Sequence, residues 1–160
     1  MRDKTTAWSK CDHIFEGSTE TNGQEHLYIE TQGAYAVPQE NSAIRIYSST
    51  QGPTQVQRTT ARVLNMPMNF IEVDTTRLGG GFGGKEDQAT TWGVLCALAA
   101  YHLKKPVKYS LHRMEDMRMT GKRHPYSSDF KIGLDENYKI VAYEATFYQN
   151  AGAAADLSPA

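Results

Sequence analysis

The sequence predicts an α+β fold, a mixed β-sheet with two main helices packed on one face. Several segments alternate apolar and polar residues with a period of two, as half-buried strands do. Two other segments repeat apolar residues at the three- and four-residue spacing of an amphipathic helix. The order along the chain is strands, helix, strand, glycine-rich loop, helix and strands, which indicates a mixed α+β arrangement.

The first predicted strands are identified by this alternation. In EHLYIETQGAYAV (25–37), the apolar residues of one parity are Leu27, Ile29, Tyr35 and Val37. In the next two, SAIRIYSS and NFIEVDTT, one side carries Ile44, Ile46, Ile71 and Val73. Alternation of this kind predicts strands with one buried face.

The later strands include a hairpin. PVKYSL (106–111) alternates in the same way. SDFKIGL (128–134) and KIVAYEATFY (139–148) flank the turn-forming triplet DEN. This combination predicts two antiparallel strands joined by a tight turn.

Two main helices are predicted. The first covers roughly residues 54–64, follows Gly-Pro, and places Val56, Val63 and Leu64 on one stripe. The second covers about 86–103, where the helical spacing is followed by Trp92, Leu95, Cys96, Ala99 and Leu103. A short helix is predicted over residues 113–119.

Composition argues against several classes of function. The formal net charge is −1 and basic residues are scattered, so the sequence predicts no nucleic-acid partner. The longest apolar stretch, GVLCALAAYHL, is shorter than the roughly 20 residues that span a bilayer, and no membrane association is predicted. The N-terminus shows no signal-peptide pattern, and Cys11 and Cys96 form no C-x-x-C pair, which favours a reducing cytoplasm.

The chain is predicted to be one partial domain spanning residues 1–160. Its last residues, YQNAGAAADLSPA, form a small-residue stretch with no closing strand or helix. This pattern suggests a piece of a longer protein, and a flexible natural terminus is the alternative.

The most informative segment is TTRLGGGFGGKEDQ (75–88), which holds five glycines around one phenylalanine. Such a loop lets the backbone approach a bulky group closely. The dinucleotide pattern G-x-G-x-x-G fits from Gly79 to Gly84, but no acidic residue follows about 20 positions later to bind a ribose.

A phosphate-binding P-loop is the second possibility. The segment from Gly79 to Lys85 matches seven positions of G-x-x-x-x-G-K-[ST], but Glu86 stands where a hydroxyl is needed. A carboxylate there would repel phosphates. A glycine turn that only allows close packing stays open, although Phe82 within it favours a loop that presents a side chain to a ligand.

The loop and its neighbours resemble the molybdenum-binding subunit of the molybdenum hydroxylases, the xanthine dehydrogenase and xanthine oxidase family. The resemblance covers nearly the whole chain in five ordered blocks: GQEHLYIET (23–31), SSTQGPTQ (48–55), RLGGGFGGKE (77–86), MTGKRHP (119–125) and YQNAGAAADLS (148–158). It implies a partial molybdenum cofactor-binding domain.

The resemblance also implies a set of site residues. Gln51 would hydrogen-bond an oxygen of the molybdenum centre, and Gly81, Phe82 and Gly83 would line the cofactor with their main chain. In purine-oxidising relatives a glutamate at the position of Glu86 binds the substrate, whereas aldehyde-oxidising relatives commonly carry an apolar residue there. Favourable placement near a helix N-terminus is the alternative role for Glu86.

The other blocks leave their roles open. Gln24, Glu25 and His26 either orient the site or form a structural network at a strand start. Arg123, His124 and Pro125 are expected to shape a turn. No histidine has metal-ligand spacing, and the family holds molybdenum through the pterin dithiolene.

The resemblance implies oxidative hydroxylation of purines or related N-heterocycles with water as the oxygen source. The general base and a substrate-binding arginine would lie beyond residue 160, so no catalytic residue is expected in this chain. Iron–sulfur and FAD groups would belong to other domains or subunits, and the isolated chain is expected to lack the cofactor and be inactive. Oxidation of aldehydes or other heterocycles, or a non-catalytic binding or assembly module, is the alternative.

Overall fold

The computed structural model describes residues 4–153 and 158, except for the side chains of residues 4 and 5. In chain order the elements are α1 Lys4–Trp8, β1 His13–Thr21, β2 Gly33–Pro38, β3 Ile44–Ser48, α2 Pro53–Val63, β4 Ile71–Asp74, α3 Gln88–Leu103, β5 Val107–Ser110, α4 Arg113–Met119, β6 Tyr126–Leu134 and β7 Ile140–Gln149. The predicted α+β class is confirmed, but the strands form two sheets and not one.

The described residues fall into two compact units. One lies within Met1–Gln24 and His124–Ala154, and the other within Glu25–Arg123. The larger unit contains the glycine-rich loop and is therefore the one that matters for the site.

The sheet of the larger unit has the strand order β4-β3-β2-β5. β3 and β4 run parallel, whereas β2 is antiparallel to both of its neighbours, so the sheet is mixed as predicted. α2 and α3 cover one face of it. The core between them is formed by buried aliphatic and small side chains, among them Ala36, Ile44, Ile46, Val56 and Ala97.

The buried face of β2 differs from the prediction. Ala34 and Ala36 face the core, whereas Tyr35 is exposed and Val37 is only half-buried. α3 packs directly on this strand, and the Sγ of Cys96 on α3 lies 3.4 Å from the carbonyl oxygen of Ala34. Small side chains allow this close approach, so the large apolar residues of β2 lie on the opposite parity.

Residues 25–32 were predicted as strand but form an irregular segment. Several of its backbone groups are bound by side chains of α4 and not by a neighbouring strand. Asp116 accepts the N–H of Gln32 at 2.7 Å, and Arg113 Nη2 donates to the carbonyl oxygens of Tyr28 and Ile29. Leu27 and Ile29 are consequently exposed and do not enter the core.

The two main helices form within two residues of their predicted bounds, and both have buried faces that differ in part from the prediction. α3 buries Trp92, Cys96 and the small residues Gly93, Ala97 and Ala100, whereas Leu95 and Leu103 are exposed. On α2, Val63 is exposed and Thr60 and Ala61 are buried with Val56. Close helix-to-sheet packing again selects small residues over leucines.

The short helix α4 has the predicted bounds. His112 and Glu115 form a reciprocal capping box at its start, because His112 Nδ1 accepts from the N–H of Met114 and Glu115 accepts from the N–H of His112. Such caps satisfy otherwise unpaired N–H groups at a helix start. Asp116 is placed in the first turn by this arrangement.

The smaller unit is a three-stranded antiparallel sheet of order β1-β6-β7. Its β6–β7 hairpin confirms the prediction, with Asp135 Oδ1 accepting two backbone N–H groups of the turn. β1 and α1 were not predicted. Every residue of β1 is exposed, so pairing with β6 and not burial holds this strand in place.

Candidate functional site

The glycine-rich loop lies between β4 and α3. The N–H of Gly84 donates to the carbonyl oxygen of Gly81 at 2.8 Å, which closes a tight turn around Phe82 and Gly83. Both central residues have positive φ, 52° for Phe82 and 88° for Gly83. This conformation is ordinary for glycine but uncommon for a phenylalanine, so surrounding contacts must hold the turn.

Gln51, which lies in the segment between β3 and α2, holds this turn through hydrogen bonds. Its side-chain Oε1 accepts the N–H of Gly83 at 3.0 Å and the N–H of Lys85 at 3.2 Å. Its own N–H donates to the carbonyl oxygen of Lys85 at 2.8 Å. The amide group of Gln51 is thereby oriented through its oxygen, and no residue in the described part of the chain accepts a hydrogen bond from Nε2.

Gly81 lies against the Gln51 side chain. A Cβ atom at this position would collide with the carboxamide, so only glycine lets the two segments approach this closely. The structure therefore brings Gln51, Gly81, Phe82 and Gly83 together in one place.

Phe82 faces outward from the loop. Its residue is 63% exposed, which is high for a phenylalanine held in a fixed turn. Among the described residues, none accepts its backbone N–H. An exposed apolar ring therefore stands next to N–H donors that have no acceptor among the described residues.

Glu86 is half-buried and lies next to the same site. Its carbonyl oxygen is adjacent to Gly52, the residue that follows Gln51. Its carboxylate forms neither a hydrogen bond nor an ion pair with the described residues. α3 begins at Gln88 with Asp87 as its N-cap, so Glu86 precedes the first turn and is not inside it.

Lys85 has the position that a P-loop lysine would have, but its side chain turns away from the loop. The residue is fully buried. Nζ donates to Ser49 Oγ at 2.6 Å, to the Glu30 carbonyl oxygen at 2.7 Å and to Glu30 Oε2 at 3.2 Å. All three ammonium donors are therefore used inside the protein, and the P-loop alternative is wrong.

The partners of Lys85 were missed at the level of sequence. Glu30, Ser49 and Lys85, here called the lysine cluster, come from three separate segments. Burial lowers the pKa of Lys85, opposed by the charge of Glu30. Burial alone would raise the pKa of Glu30, but hydrogen bonds from Ser49 and Gly79 and the Lys85 charge outweigh it, so this pKa is lowered. No local pattern in the sequence signals a buried lysine.

A buried polar network lies beneath the loop. Tyr28 donates its hydroxyl to Asp116 at 2.7 Å, and Gln32 Nε2 donates to the Tyr28 oxygen and to the Gly84 carbonyl, both at 2.9 Å. Trp92 Nε1 donates to Gln32 Oε1 at 2.8 Å. Burial and the Asp116 carboxylate raise the pKa of Tyr28 to about 12. The network connects the loop to α3 and α4.

The remaining blocks have structural partners. The His26 ring stacks with Tyr28 and lies against Gly84, where a Cβ would come within 2.7 Å of it. Glu25 forms a 2.8 Å ion pair with Lys122. Gln24 and His124 belong to the smaller unit. These contacts show structural partners for the blocks and do not assign them a chemical role.

The described residues contain no cluster of three or more His, Cys, Asp or Glu side chains that could hold a metal ion. Cys11 and Cys96 are both free thiols. None of the helices in the described ranges is long and apolar enough to cross a membrane.

The loop thus combines a tight glycine turn, an outward-facing aromatic ring and a side-chain amide held just before the start of α2. The chain belongs to the molybdopterin cofactor-binding domain family, whose model matches residues 2–160. The resemblance to the molybdenum hydroxylases is thereby confirmed.

Curated relatives point to the same family. The chain is 43% identical to a xanthine dehydrogenase of Blastobotrys adeninivorans over 157 residues, which are 98% of this chain and 11% of that protein. It is 41% identical to a xanthine dehydrogenase/oxidase of Gallus gallus over 98% of the chain, and 39% identical to aldehyde oxidase 2 of Cavia porcellus over 95%. In both of these relatives it covers 12% of the length.

Solved structures share the fold. The aldehyde oxidoreductase of Desulfovibrio gigas matches 92% of this chain and 16% of its own with a TM-score of 0.78 at 22% identity. The quinoline 2-oxidoreductase of Pseudomonas putida 86 matches 91% of this chain and 18% of its own with a TM-score of 0.73 at 21% identity. At these identities the comparison establishes the fold alone.

Proposed function

We propose that Gln51, Gly81, Phe82 and Gly83 form one wall of a molybdenum-cofactor site in an oxidoreductase that hydroxylates purines or related N-heterocycles. The observation that carries this proposal is the state of Gln51. Its oxygen is held by two loop N–H groups, while its Nε2 donor has no acceptor among the described residues. A donor fixed in this way suits an oxygen ligand of a bound metal centre.

The residues fit such a group. The space in front of Gly83 is open, since a Cβ there would meet no atom within 4 Å. Gln51 also precedes α2, and the loop precedes α3, so the positive ends of two helix dipoles lie at this place. Partial positive charge and unpaired donors favour an anionic pterin phosphate or an oxo ligand.

When bound, the molybdenum cofactor supplies the two-electron chemistry of hydroxylation, with water as the source of oxygen. The chain's own residues would hold and orient the cofactor. Gln51 donates a hydrogen bond, Phe82 excludes water from one side, and the glycines keep side chains out of the approach. The general base is assigned to a part of the protein beyond these residues, which span only 11–12% of the relatives' length.

Glu86 supports the purine assignment. Its backbone carbonyl lies beside Gly52, the residue that follows Gln51. Its carboxylate has no partner among the described residues, so it is available to accept a hydrogen bond from a heterocycle N–H. The competing assignment, oxidation of aldehydes, is favoured by the 39% identity to an aldehyde oxidase. An apolar residue at this position would suit that substrate better than a carboxylate.

The partners follow from the same proposal. The rest of the molybdenum subunit would complete the cofactor site, and iron–sulfur and flavin domains or subunits would accept the electrons. The assignment to the cytoplasm is part of this proposal and rests on the two free thiols.

The test replaces Gln51 by methionine in the full-length enzyme. This substitution keeps the side-chain length but removes both the oxygen and the nitrogen of the carboxamide. Loss of the donor should lower the turnover per bound molybdenum roughly 10- to 100-fold. Gln57→Met is the matched control, because the amide of Gln57 donates to the Met68 and Ile71 carbonyls away from the loop. Equal turnover per molybdenum in both variants would contradict the proposed role of Gln51.

A further inference from the structure

Glu30 connects both ends of the glycine-rich loop. At the start of the loop, its N–H donates to the Gly79 carbonyl at 3.1 Å, and its Oε2 accepts the Gly79 N–H at 2.8 Å. At the end of the loop, its carbonyl and carboxylate both accept from Lys85 Nζ. One residue of a separate segment therefore fixes the distance between the two ends of the loop.

Lys85 connects this arrangement to Gln51. Its side chain binds Glu30 and Ser49, while its backbone N–H and carbonyl bind the side chain and the backbone of Gln51. Nζ also lies 4.4 Å from the centre of the Tyr28 ring, a cation–π contact within the buried network. The main chain of Lys85 therefore links the lysine cluster directly to Gln51.

The arrangement is unusual for a lysine that only packs. A fully buried ammonium is costly unless it is paired and hydrogen-bonded, and this one uses three acceptors that lie in two separate segments. The loop that precedes Lys85 contains Phe82 at φ 52°, a conformation that surrounding contacts must maintain.

We propose that Lys85 and Glu30 are positioning residues, which set the shape of the Gly79–Glu86 loop and through it the orientation of the Gln51 amide toward the cofactor. This inference rests on the proposed function for its cofactor, but the effect on the loop does not depend on it. The lysine cluster acts without touching the cofactor itself.

The test uses the full-length enzyme with Lys85→Met, which keeps the volume and removes the charge, and Glu30→Gln, which keeps an acceptor and removes the charge. Glu30→Gln leaves Lys85 in place, so the test can still be carried out with this variant if Lys85→Met does not fold. The matched control is Lys131→Met, since Lys131 forms an ion pair with Glu16 on the other sheet.

The first measurement is backbone hydrogen exchange of the peptide covering residues 79–86 in the cofactor-free enzyme. Both variants should exchange roughly tenfold faster there, with the core of α3 unchanged, and Lys131→Met should leave this peptide unaffected. The double variant should add little to either single one, because each opens the same cluster. Unchanged exchange in the loop, or faster exchange throughout α3 as well, would overturn the inference.

The second measurement is the electron paramagnetic resonance spectrum of the partly reduced, cofactor-loaded enzyme. The molybdenum content of each sample is measured alongside the spectrum. We expect a changed spectrum in both variants because the Gln51 donor moves relative to the metal, and an unaltered one in Lys131→Met. An unaltered spectrum in all variants would overturn the link to Gln51. If loading protects no amide of residues 79–86 in the wild type, the proposed function fails while the loop result still stands.

Discussion

At the scale of single residues, substitutions of Glu86 test the proposal that purines and not aldehydes are the substrate class. In the full-length enzyme, Glu86→Gln and Glu86→Ala should lower kcat/KM for purines roughly 10- to 100-fold, because a charge-assisted hydrogen bond is lost. Small aldehydes cannot use that contact and should be oxidised about as before, or faster with alanine. The measurement is a pair of kinetic series on the two substrates.

Stability serves as the control for this prediction. Glu86 forms no ion pair in the described structure and precedes the first turn of α3, where the dipole effect of about 0.3–1 kcal/mol declines. The melting temperature should therefore hardly change, as in Glu40→Gln at an exposed position between β2 and β3. Equal losses of kcat/KM for purines and aldehydes would show that Glu86 has a structural role and does not select the substrate.

Gly81→Ala tests the close approach of the loop to Gln51. The added Cβ would collide with the carboxamide end of the exposed Gln51 side chain, so Gln51 should move away while the backbone stays folded. We expect a stability loss of only about 1–2 kcal/mol from the two loop hydrogen bonds, together with a clear fall in molybdenum content. Full molybdenum content in this variant would contradict the account of the loop.

The sequence points to candidate site residues, whose role stays a prediction, but not to the residues that support them. Gln51 and the glycine motif stand in recognisable local strings, and the fold brings them within hydrogen-bond distance. The inward direction of Lys85 depends on Glu30 and Ser49, which are 55 and 36 positions away. Contacts of this kind are set by tertiary packing, which a local motif does not encode.

At the scale of elements, the crossing of α2 and α3 depends on Gly93. A Cβ there would come within 2.6 Å of Val56 Cγ1, and Val56 is fully buried. Gly93→Ala gains about 1 kcal/mol of helix propensity but overpacks the core at a cost of about 1–3 kcal/mol. We expect net destabilisation in chemical denaturation, relieved in the double variant with Val56→Ala. Stabilisation by Gly93→Ala alone would contradict this packing.

The network around Tyr28 predicts a specific alkaline response. The raised pKa of Tyr28 means that the fold favours the protonated phenol. The stability that this preference adds is complete below about pH 10 and is lost as the pH rises to about 12. Two pKa units correspond to about 3 kcal/mol of folding free energy. Tyr28→Phe should lack this part of the decline, measured as the difference from wild type across that interval.

Tyr138→Phe is the matched control for the pH series, since Tyr138 is 70% exposed and stacks on His13. Its stability curve between pH 10 and 12 should follow that of the wild type. A Tyr28→Phe curve parallel to both would show that the phenol does not titrate with folding.

Element boundaries were predicted more accurately than element faces. α4 has its predicted bounds, because its cap residues and apolar positions are local. β2 was assigned the wrong buried parity, because large side chains were expected inside and α3 instead packs on alanines. β1 carries too little alternation to be recognised, and only its pairing with β6 defines it.

At the scale of the whole molecule, residues 1–160 by themselves should bind molybdenum poorly. The proposed site has one wall in this chain, and the chain covers 11–12% of the length of its relatives. We expect metal analysis of the isolated chain to give far less than one molybdenum per polypeptide. Near-stoichiometric molybdenum would show that the wall is a complete site.

The isolated chain should also associate with itself. Several large apolar side chains are exposed, with Ile29 at 94%, Phe82 at 63% and Phe147 at 65%. Exposed apolar surface of this kind commonly marks a contact with a partner. Sedimentation should detect oligomers at micromolar concentration, and a monomer at every concentration would argue against a missing partner surface.

The most direct test of the central claim is a crystal structure of the full-length enzyme with its cofactor bound. The account predicts that Gln51 Nε2 lies within hydrogen-bond distance of an oxygen on the molybdenum centre, with Phe82 against the same centre and Lys85 still bound to Glu30. A cofactor located away from residues 79–86, with Gln51 Nε2 bound to another part of the protein, would contradict it.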